Sequence, residues 1–278
     1  MFNKITNCAV ESALKAGKIL KEGFGTSFII SNKIGKNNLV TEFDKRSESI
    51  IIENIKSVFP GHVFLAEESG NTGIATSGSV LWIIDPLDGT VNFAHSLPIF
   101  SISIAAVQNK EILCGVVYHP ILDELFVAEK GKGAFLNGKE IKVSNSDDLE
   151  SGFLVTGFPY NVNSNPCGCI EHFVSIIQRG IPVRRLGSAA LDLAYVACGR
   201  FDGFWEINLN PWDVAAGILL VQEAGGLVTQ YNKEKYWLDD QTMIATNGKI
   251  HKQICDVLSR CGCGINNNPL TPFFKGEF

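Results

Sequence analysis

Trp82-Ile83-Ile84-Asp85-Pro86-Leu87-Asp88-Gly89-Thr90 runs an apolar strand straight into two acids three positions apart, with a proline between them. Proline fixes its own backbone angle and restricts Asp85 before it, so the chain leaves the strand through a rigid turn with both carboxylates converging. Gly89 permits a tight backbone path, and Thr90 sets a hydroxyl beside the acids. Alone, Asp-Pro-x-Asp-Gly more often means an ordinary acidic turn. Thr90 alone could simply cap a short helix after it.

On the N-terminal side, Val63–Ala66 is a second short apolar strand and runs into Glu67-Glu68, which by itself reads as a solvated pair before a loop over 69–79. Earlier still, Ile5, Ala9, Ala13, Ala16, Ile19 and Leu20 recur at helical spacing over 5–24, and a second helix runs from about Asp44 to Phe59, stopped by Pro60-Gly61. On the C-terminal side, short apolar runs at 80–84, 99–107, 112–118 and 124–128 read as strands. Asn137-Gly138 between 134–136 and 141–143 marks a tight hairpin.

The second half alternates differently. Strands are expected at 153–156, 183–186, 227–230 and 243–246. Helices are expected from about 166 to 179, over 188–198 with Ser188 as cap, over 212–224 behind Asn210-Pro211, and over 249–260. Blocks of mixed strands and helices predict a layered α+β architecture. Residues 1–260 read as one domain with halves meeting near 150, followed by an irregular tail over 261–278.

Composition narrows the function. Of 278 residues, 45% are hydrophobic and 19% charged, as in a globular protein, and the net charge of −5 offers no basic field for nucleic acid. No stretch approaches the ~20 apolar residues of a membrane-spanning helix, and the first ten residues lack an export signal, so a cytoplasmic location is expected. The pairs Cys167/Cys169 and Cys261/Cys263, with His172 nearby, raise a zinc reading. Cys-x-Cys is not the usual knuckle spacing and no histidine pair accompanies it, so reduced thiols are expected.

Trp212-Asp213 places a further carboxylate in the first turn of an apolar helix, where the helix dipole alone could explain it. Glu67, Asp85, Asp88 and Asp213 together suggest more. Several oxygen donors without histidine or cysteine select a hard cation, and without calcium-loop spacing Mg2+ with a phosphate substrate is the natural choice.

Glu67-Glu68-Ser69, then 82–90 continuing into Val91-Asn92-Phe93, then Pro211-Trp212-Asp213 with Glu223-Ala224-Gly225-Gly226 resemble the signatures of the inositol monophosphatase family. Gly133-Ala134-Phe135-Leu136-Asn137-Gly138 and Gly187-Ser188-Ala189-Ala190 resemble further family blocks, and the resemblance covers about residues 1–260 in matching order. It implies an α/β/α/β/α sandwich, a homodimer, and lithium-sensitive hydrolysis of a small phosphorylated polyol with two to three Mg2+ ions. It also implies that Glu67, Asp85 and the Leu87 carbonyl hold one ion, that Asp85, Asp88 and Asp213 hold a second, and that a weaker third sits near Glu67. Thr90 paired with Asp44 would orient the attacking water, and the N–H groups of Gly89 and Thr90 would face the phosphate. Ala189, Glu206 and Lys33 fall at substrate positions. For Glu206 the bland alternative is a surface acid at a strand end, for Lys33 a solvated lysine, and for Arg184-Arg185 a solvated pair. Sister phosphatases acting on 3′-phosphoadenosine 5′-phosphate, fructose 1,6-bisphosphate, NADP or histidinol phosphate are the nearest enzymatic alternatives. A binding role with the transcription machinery is the alternative from outside catalysis.

Overall fold

The computed structural model describes residues 2–32, 39–73 and 78–259. The chain opens with helix α1 (Lys4–Gly23), the antiparallel strands β1 (Ile30–Asn32) and β2 (Leu39–Thr41), and helix α2 (Glu42–Val58). Asn3 caps α1 by accepting from the Thr6 N–H at 2.8 Å, and Thr41 with Asp44 forms a reciprocal capping box at the start of α2. Next come β3 (Val63–Ala66), β4 (Gly70–Asn71), β5 (Leu81–Asp88), the short helix α3 (Thr90–Ala94), β6 (Ser101–Gln108), β7 (Glu111–His119), β8 (Glu124–Glu129), β9 (Ala134–Leu136) and β10 (Lys139–Ile141). The second half holds β11 (Leu154–Thr156), α4 (Cys169–Ile177), β12 (Val183–Arg184), α5 (Ala189–Ala197), β13 (Gly203–Ile207), α6 (Pro211–Glu223), β14 (Leu227–Thr229), β15 (Thr242–Thr246) and α7 (His251–Leu258).

Among the described residues an eight-stranded sheet runs β10-β9-β8-β7-β6-β5-β3-β4, antiparallel except where β3 pairs in parallel with β5. A five-stranded sheet runs β12-β11-β13-β15-β14. The α1 and α2 faces rich in Ala9, Ala13, Leu20, Ile51 and Ile55 bury against Trp82, Ile84, Ile102 and Ile104 on one side of the large sheet. The other side, with Leu81, Ile83, Ala105 and Val107, packs on α5 and α6, which in turn cover Val155, Phe204 and Ala245 of the smaller sheet. Beyond that sheet, α4 and α7 bury Ile176, Ile254 and Leu258 against Trp205 and Ile244. The layers are therefore helix, sheet, helix, sheet, helix. The middle helices are apolar all round because they are covered on both sides.

Several elements differ from expectation. The strand expected at 80–84 continues to Asp88, and the short helix α3 follows with Gly89, not Thr90, as its cap. The helix expected over 166–179 begins only at Cys169, because Cys167 and Gly168 take left-handed conformations with φ of 50° and 66°. The strand at 183–186 keeps only Val183–Arg184, and the last helix spans His251–Leu258 rather than 249–260. The tail over 261–278, with Cys261 and Cys263, lies outside the described residues.

Candidate active site

In a regular strand side chains alternate with period two, so acids three positions apart would face opposite sides. Pairing along β5 and β6 shows how this chain avoids that. Asp85 sits opposite Ser103 and Asp88 opposite Ser101, so β5 carries one extra residue between them. This is a β-bulge. It turns Asp88 onto the face already occupied by Ile83 and Asp85, toward α5 and α6, while Leu87 packs with Trp82 and Ile84 toward α1 and α2. Pro86, with no N–H to lose from the ladder, fits the bulge, and the Leu87 N–H donates to Asp85 Oδ1 at 3.0 Å.

Two helix N-termini hold the other acids. Asp88 Oδ2 accepts from Ser188 Oγ at 2.7 Å and from the Ala190 N–H at 2.8 Å, which ties the end of β5 to the first turn of α5. Asp213, in the first turn of α6, accepts from the Asn210 N–H at 2.7 Å. Glu67 follows β3, its N–H donating to the Ile84 carbonyl at 3.1 Å, and its carboxyl is hydrogen-bonded to that of Asp85. Glu67, Asp85, Asp88 and Asp213 are thus neighbours in space.

Their electrostatics are those of crowded like charges. Burial, then the charges of Glu67, Asp88 and Asp213, pushes the Asp85 carboxyl well above the usual range. Burial likewise lifts Asp213, with Asp88 and Glu67 adding to it, although Asp213 keeps an edge that solvent reaches. Asp88 is pushed up to about 6 by burial, against the hydrogen bonds from Ser188 and Ala190. The charges that weigh most on Asp85 and Asp213 are all acidic. Among the described residues no three His, Cys, Asp or Glu side chains are already drawn round one point as a closed cage. An all-oxygen donor set under mutual repulsion fits a hard divalent cation, which would relieve the repulsion and does not require a soft ligand.

Helix α2 supports this cluster from below. Asp44, Ser47 and Glu48 lie at i, i+3 and i+4 and share its inner face. Thr90 Oγ lies 2.9 Å from Asp44 Oδ1 and 3.0 Å from the Leu87 carbonyl. Asp44 Oδ2 accepts from the Thr41 N–H at 2.7 Å and the Thr41 hydroxyl at 2.5 Å. Burial lifts the Asp44 carboxyl, and these hydrogen bonds offset part of the rise. Ser47 donates to the Pro86 carbonyl at 2.7 Å, and Glu48 accepts from the Glu68 N–H at 2.9 Å. Thr90 is not the cap of α3. That position belongs to Gly89 at φ 98°, where an added Cβ would lie 3.0 Å from the Ile99 carbonyl and 3.2 Å from that of Gly187.

At the other end of the cluster, Ala189 opens α5 beside Ser188. Glu206 is not a surface acid: β13 is buried throughout, Glu206 is 8% exposed, and it faces α5 with Phe204. Its carboxylate lies so close to Gly157 that a Cβ there would be 2.1 Å from Oε2. Burial, then the charge of Asp88, pushes Glu206 up to about 8, against the pull of Arg185. Lys33 lies outside the described residues. Arg184 is exposed and stacks over Phe153 at 4.9 Å. Cys167 and Cys169 are free thiols flanking the kink before α4, and His172 is fully buried edge-on to Tyr231 at 5.1 Å.

Ser47, Glu48, Tyr160 and Asp192 escaped the sequence reading. Ser47 and Glu48 carried a usable signal, namely polar residues on the stripe that also holds Phe43, Ile51 and Ile55. Asp192 is 1% exposed one turn into α5, and its Oδ1 has no hydrogen bond. Tyr160 is exposed, yet its hydroxyl stands in the field of all four acids of the cluster.

A family model described as the inositol monophosphatase family matches residues 1–262. The chain is 44% identical over 251 residues to an inositol-1-monophosphatase of Synechocystis, covering 90% of this chain and 87% of that protein. It is 42% identical over 252 residues to the Nus factor SuhB of Escherichia coli, covering 90% and 94%. In three dimensions it superposes on the extragenic suppressor protein suhB from Bartonella henselae with a TM-score of 0.87 at 39% identity, covering 93% of this chain and 99% of the other. Among the described residues no helix is long and apolar enough to cross a membrane.

Proposed function

The chain belongs to the inositol monophosphatase family, a family of phosphatases, and on that premise we propose that it is a Mg2+-dependent phosphomonoesterase acting on inositol monophosphate or a similar small phosphorylated polyol. The observation that carries this reading is the bulge in β5, which puts Asp85 and Asp88 on one face beside Glu67 and Asp213. Glu67, Asp85 and the Leu87 carbonyl are the donors for one ion, and Asp85, Asp88 and Asp213 for a second, with Glu67 nearest a weaker third. Bound Mg2+ would acidify the attacking water and stabilise charge on the departing alcohol oxygen.

The protein's own groups supply position. Asp44 is buried, fixed by Thr41, and directs the Thr90 hydroxyl, so the Thr90–Asp44 pair is suited to orient a water along one line of attack. The left-handed turn at Gly89 lets the backbone come close to a phosphate, whose oxygens would meet the Gly89 and Thr90 N–H groups. Each aspartate of the cluster is anchored by a backbone N–H, whereas Glu206 accepts none from the described residues, which leaves its oxygens for the hydroxyls of the alcohol beside Ala189. We read residues 1–260 as one domain acting as a homodimer. Release of phosphate from inositol 1-phosphate, measured beside 3′-phosphoadenosine 5′-phosphate and fructose 1,6-bisphosphate, tests the reading. Hydrolysis of none of them with Mg2+ present would overturn it.

Relatives carrying the name Nus factor SuhB favour a second reading, in which the chain also takes part in transcription through protein contacts. Their name is partly at odds with the reading of the acidic net charge as counting against a nucleic-acid partner. Pull-down from a cell extract with wild type and with a metal-cluster variant separates that role from catalysis.

A further inference from the structure

Two residues of β5, Pro86 and Leu87, stand where β6 offers one, and the pairing of β5 with β3 has already ended at Ile84. Among the described residues neither has a strand partner in register, so the polar groups of this stretch must find hydrogen bonds elsewhere. Side chains supply them. Ser47 Oγ donates to the Pro86 carbonyl at 2.7 Å, the Leu87 N–H donates to Asp85 Oδ1 at 3.0 Å, and Thr90 Oγ lies 3.0 Å from the Leu87 carbonyl.

The first two of these bonds act on one rigid unit. The Pro86 carbonyl and the Leu87 N–H belong to the same planar peptide and point in opposite directions across it. Ser47 therefore grips one edge of the plane and the Asp85 carboxylate the other. A carbonyl that accepts a hydrogen bond makes the N–H of its own peptide a better donor, so the Ser47 bond strengthens the hold on Asp85 Oδ1. Turning the plane would break both bonds at once and carry along the Leu87 carbonyl, which follows it in the chain. Asp85 and the Leu87 carbonyl are two of the three donors assigned to one ion.

Packing gives Ser47 no reason to be polar. It is fully buried on the stripe of α2 that also holds Phe43, Ile51 and Ile55, where alanine would favour the helix more. A buried hydroxyl there needs a partner, and its partner is the bulge rather than its own helix. We propose that Ser47 is a positioning residue for the metal cluster: by fixing the Pro86–Leu87 peptide it holds Asp85 and the Leu87 carbonyl in the arrangement that receives a divalent cation. Ser47 itself touches neither ion nor substrate. This role rests on the reading of the cluster as the Mg2+ site of a phosphatase.

The test compares full-length wild type, S47A, S47T and N54A. Asn54 is also buried on α2, but its Nδ2 donates to Ser12 Oγ of α1 at 2.9 Å, so N54A loosens the same helix against α1 and not at the bulge. Mg2+ binding is read by calorimetry and by the rise in melting temperature that Mg2+ gives, and phosphate release from inositol 1-phosphate is followed over a Mg2+ titration. S47A should bind Mg2+ roughly ten- to hundredfold more weakly, as happens when a group that orients a metal ligand is lost, and excess Mg2+ should recover its turnover. S47T, which keeps the hydroxyl, should bind near wild type. N54A should melt lower in chelator yet bind Mg2+ as wild type does. Mg2+ held as tightly by S47A as by wild type overturns the proposal, as does S47T binding as weakly as S47A. An equal weakening in N54A also overturns it, because Ser47 would then be a general prop of α2. Wild type that binds Mg2+ but releases no phosphate defeats the phosphatase reading, while the Mg2+ comparison still decides the role of Ser47.

Discussion

The Thr90 hydroxyl lies 2.9 Å from Asp44 Oδ1, joining the residue two past Asp88 to the first turn of a helix 46 positions earlier in the chain. Since Gly89 caps α3, this side chain is free of the capping role its position suggests, and its removal should touch catalysis more than stability. Thr90→Ala should slow turnover roughly thirty- to thousand-fold, corresponding to about 2–4 kcal/mol of lost positioning in the transition state. The melting temperature and the Mg2+ concentration for half activity should stay near wild type. Turnover within twofold of wild type would remove Thr90 from the mechanism.

Asp88→Asn keeps a carbonyl oxygen to accept from Ser188 and Ala190, so the tie between β5 and α5 should survive. What is lost is one negative charge of the cluster. Turnover should fall by orders of magnitude while the far-ultraviolet dichroism and the melting temperature in chelator hold or rise slightly. Normal turnover at ordinary Mg2+ would take Asp88 out of the ligand set.

Chelation should abolish phosphate release and readdition of Mg2+ should restore it, with Li+ inhibiting the restored enzyme. Independently of turnover, Mg2+ should raise the melting temperature, because binding to the native state alone stabilises it. Full activity after exhaustive chelation contradicts the cluster's assignment.

The metal-free protein should lose stability as pH rises. Asp88 at about 6 and Glu206 at about 8 sit above the ordinary carboxylate range, and Asp85 and Asp213 are lifted in the same direction. At these sites the native state holds protons that the unfolded chain has already released, and above roughly pH 6.5, where the burial-lowered His62, His119, His172 and His251 no longer oppose the trend, stability falls towards pH 8. Thermal melts in chelator should decline over that window. Glu206→Gln should flatten the part above pH 6, and Mg2+ should help more at pH 8 than at pH 5.5. A metal-free melting temperature that climbs from pH 6 to 8 would reverse the sign and refute the argument.

Glu206→Ala should penalise substrates unequally, since the carboxylate is assigned to the alcohol. Gly157→Ala should reproduce that pattern, because its Cβ would occupy the space of the Glu206 oxygens. The check is kcat/KM on inositol 1-phosphate against p-nitrophenyl phosphate in both variants. An identical loss on both esters would disconnect Glu206 from substrate choice.

Much of this was legible in the sequence for local reasons. Ser188 before an apolar helix and Asn137-Gly138 between strands are short-range signals, and the structure places a cap at the first and a hairpin at the second. The bulge was not legible as such. The sequence ended the strand at Ile84 and assigned the convergence of Asp85 and Asp88 to a turn, whereas the ladder to β6 continues and absorbs one residue. The strand end at Glu206 was read as a surface position and its burial was missed, because Phe204-Trp205-Glu206 carries a charge whose covering comes from α5, which the local sequence does not show. Ser47 and Glu48 stand on the apolar stripe of α2, but their partners, the Pro86 carbonyl and the Glu68 backbone, are brought to them only by the tertiary fold.

Helix α2 reaches the Pro86 carbonyl through Ser47, Thr90 through Asp44 and the Glu68 backbone through Glu48, so three ties to two stretches that carry the acid cluster hang from one seventeen-residue helix. Inactivation by heat need not wait for the molecule to come apart. Fraying of α2 alone, with both sheets intact, releases all three ties together, and activity should vanish in a cooperative step below the main melting transition. Amide exchange along 42–58 would then run in step with loss of turnover, and this helix would set the upper temperature at which the enzyme is of use.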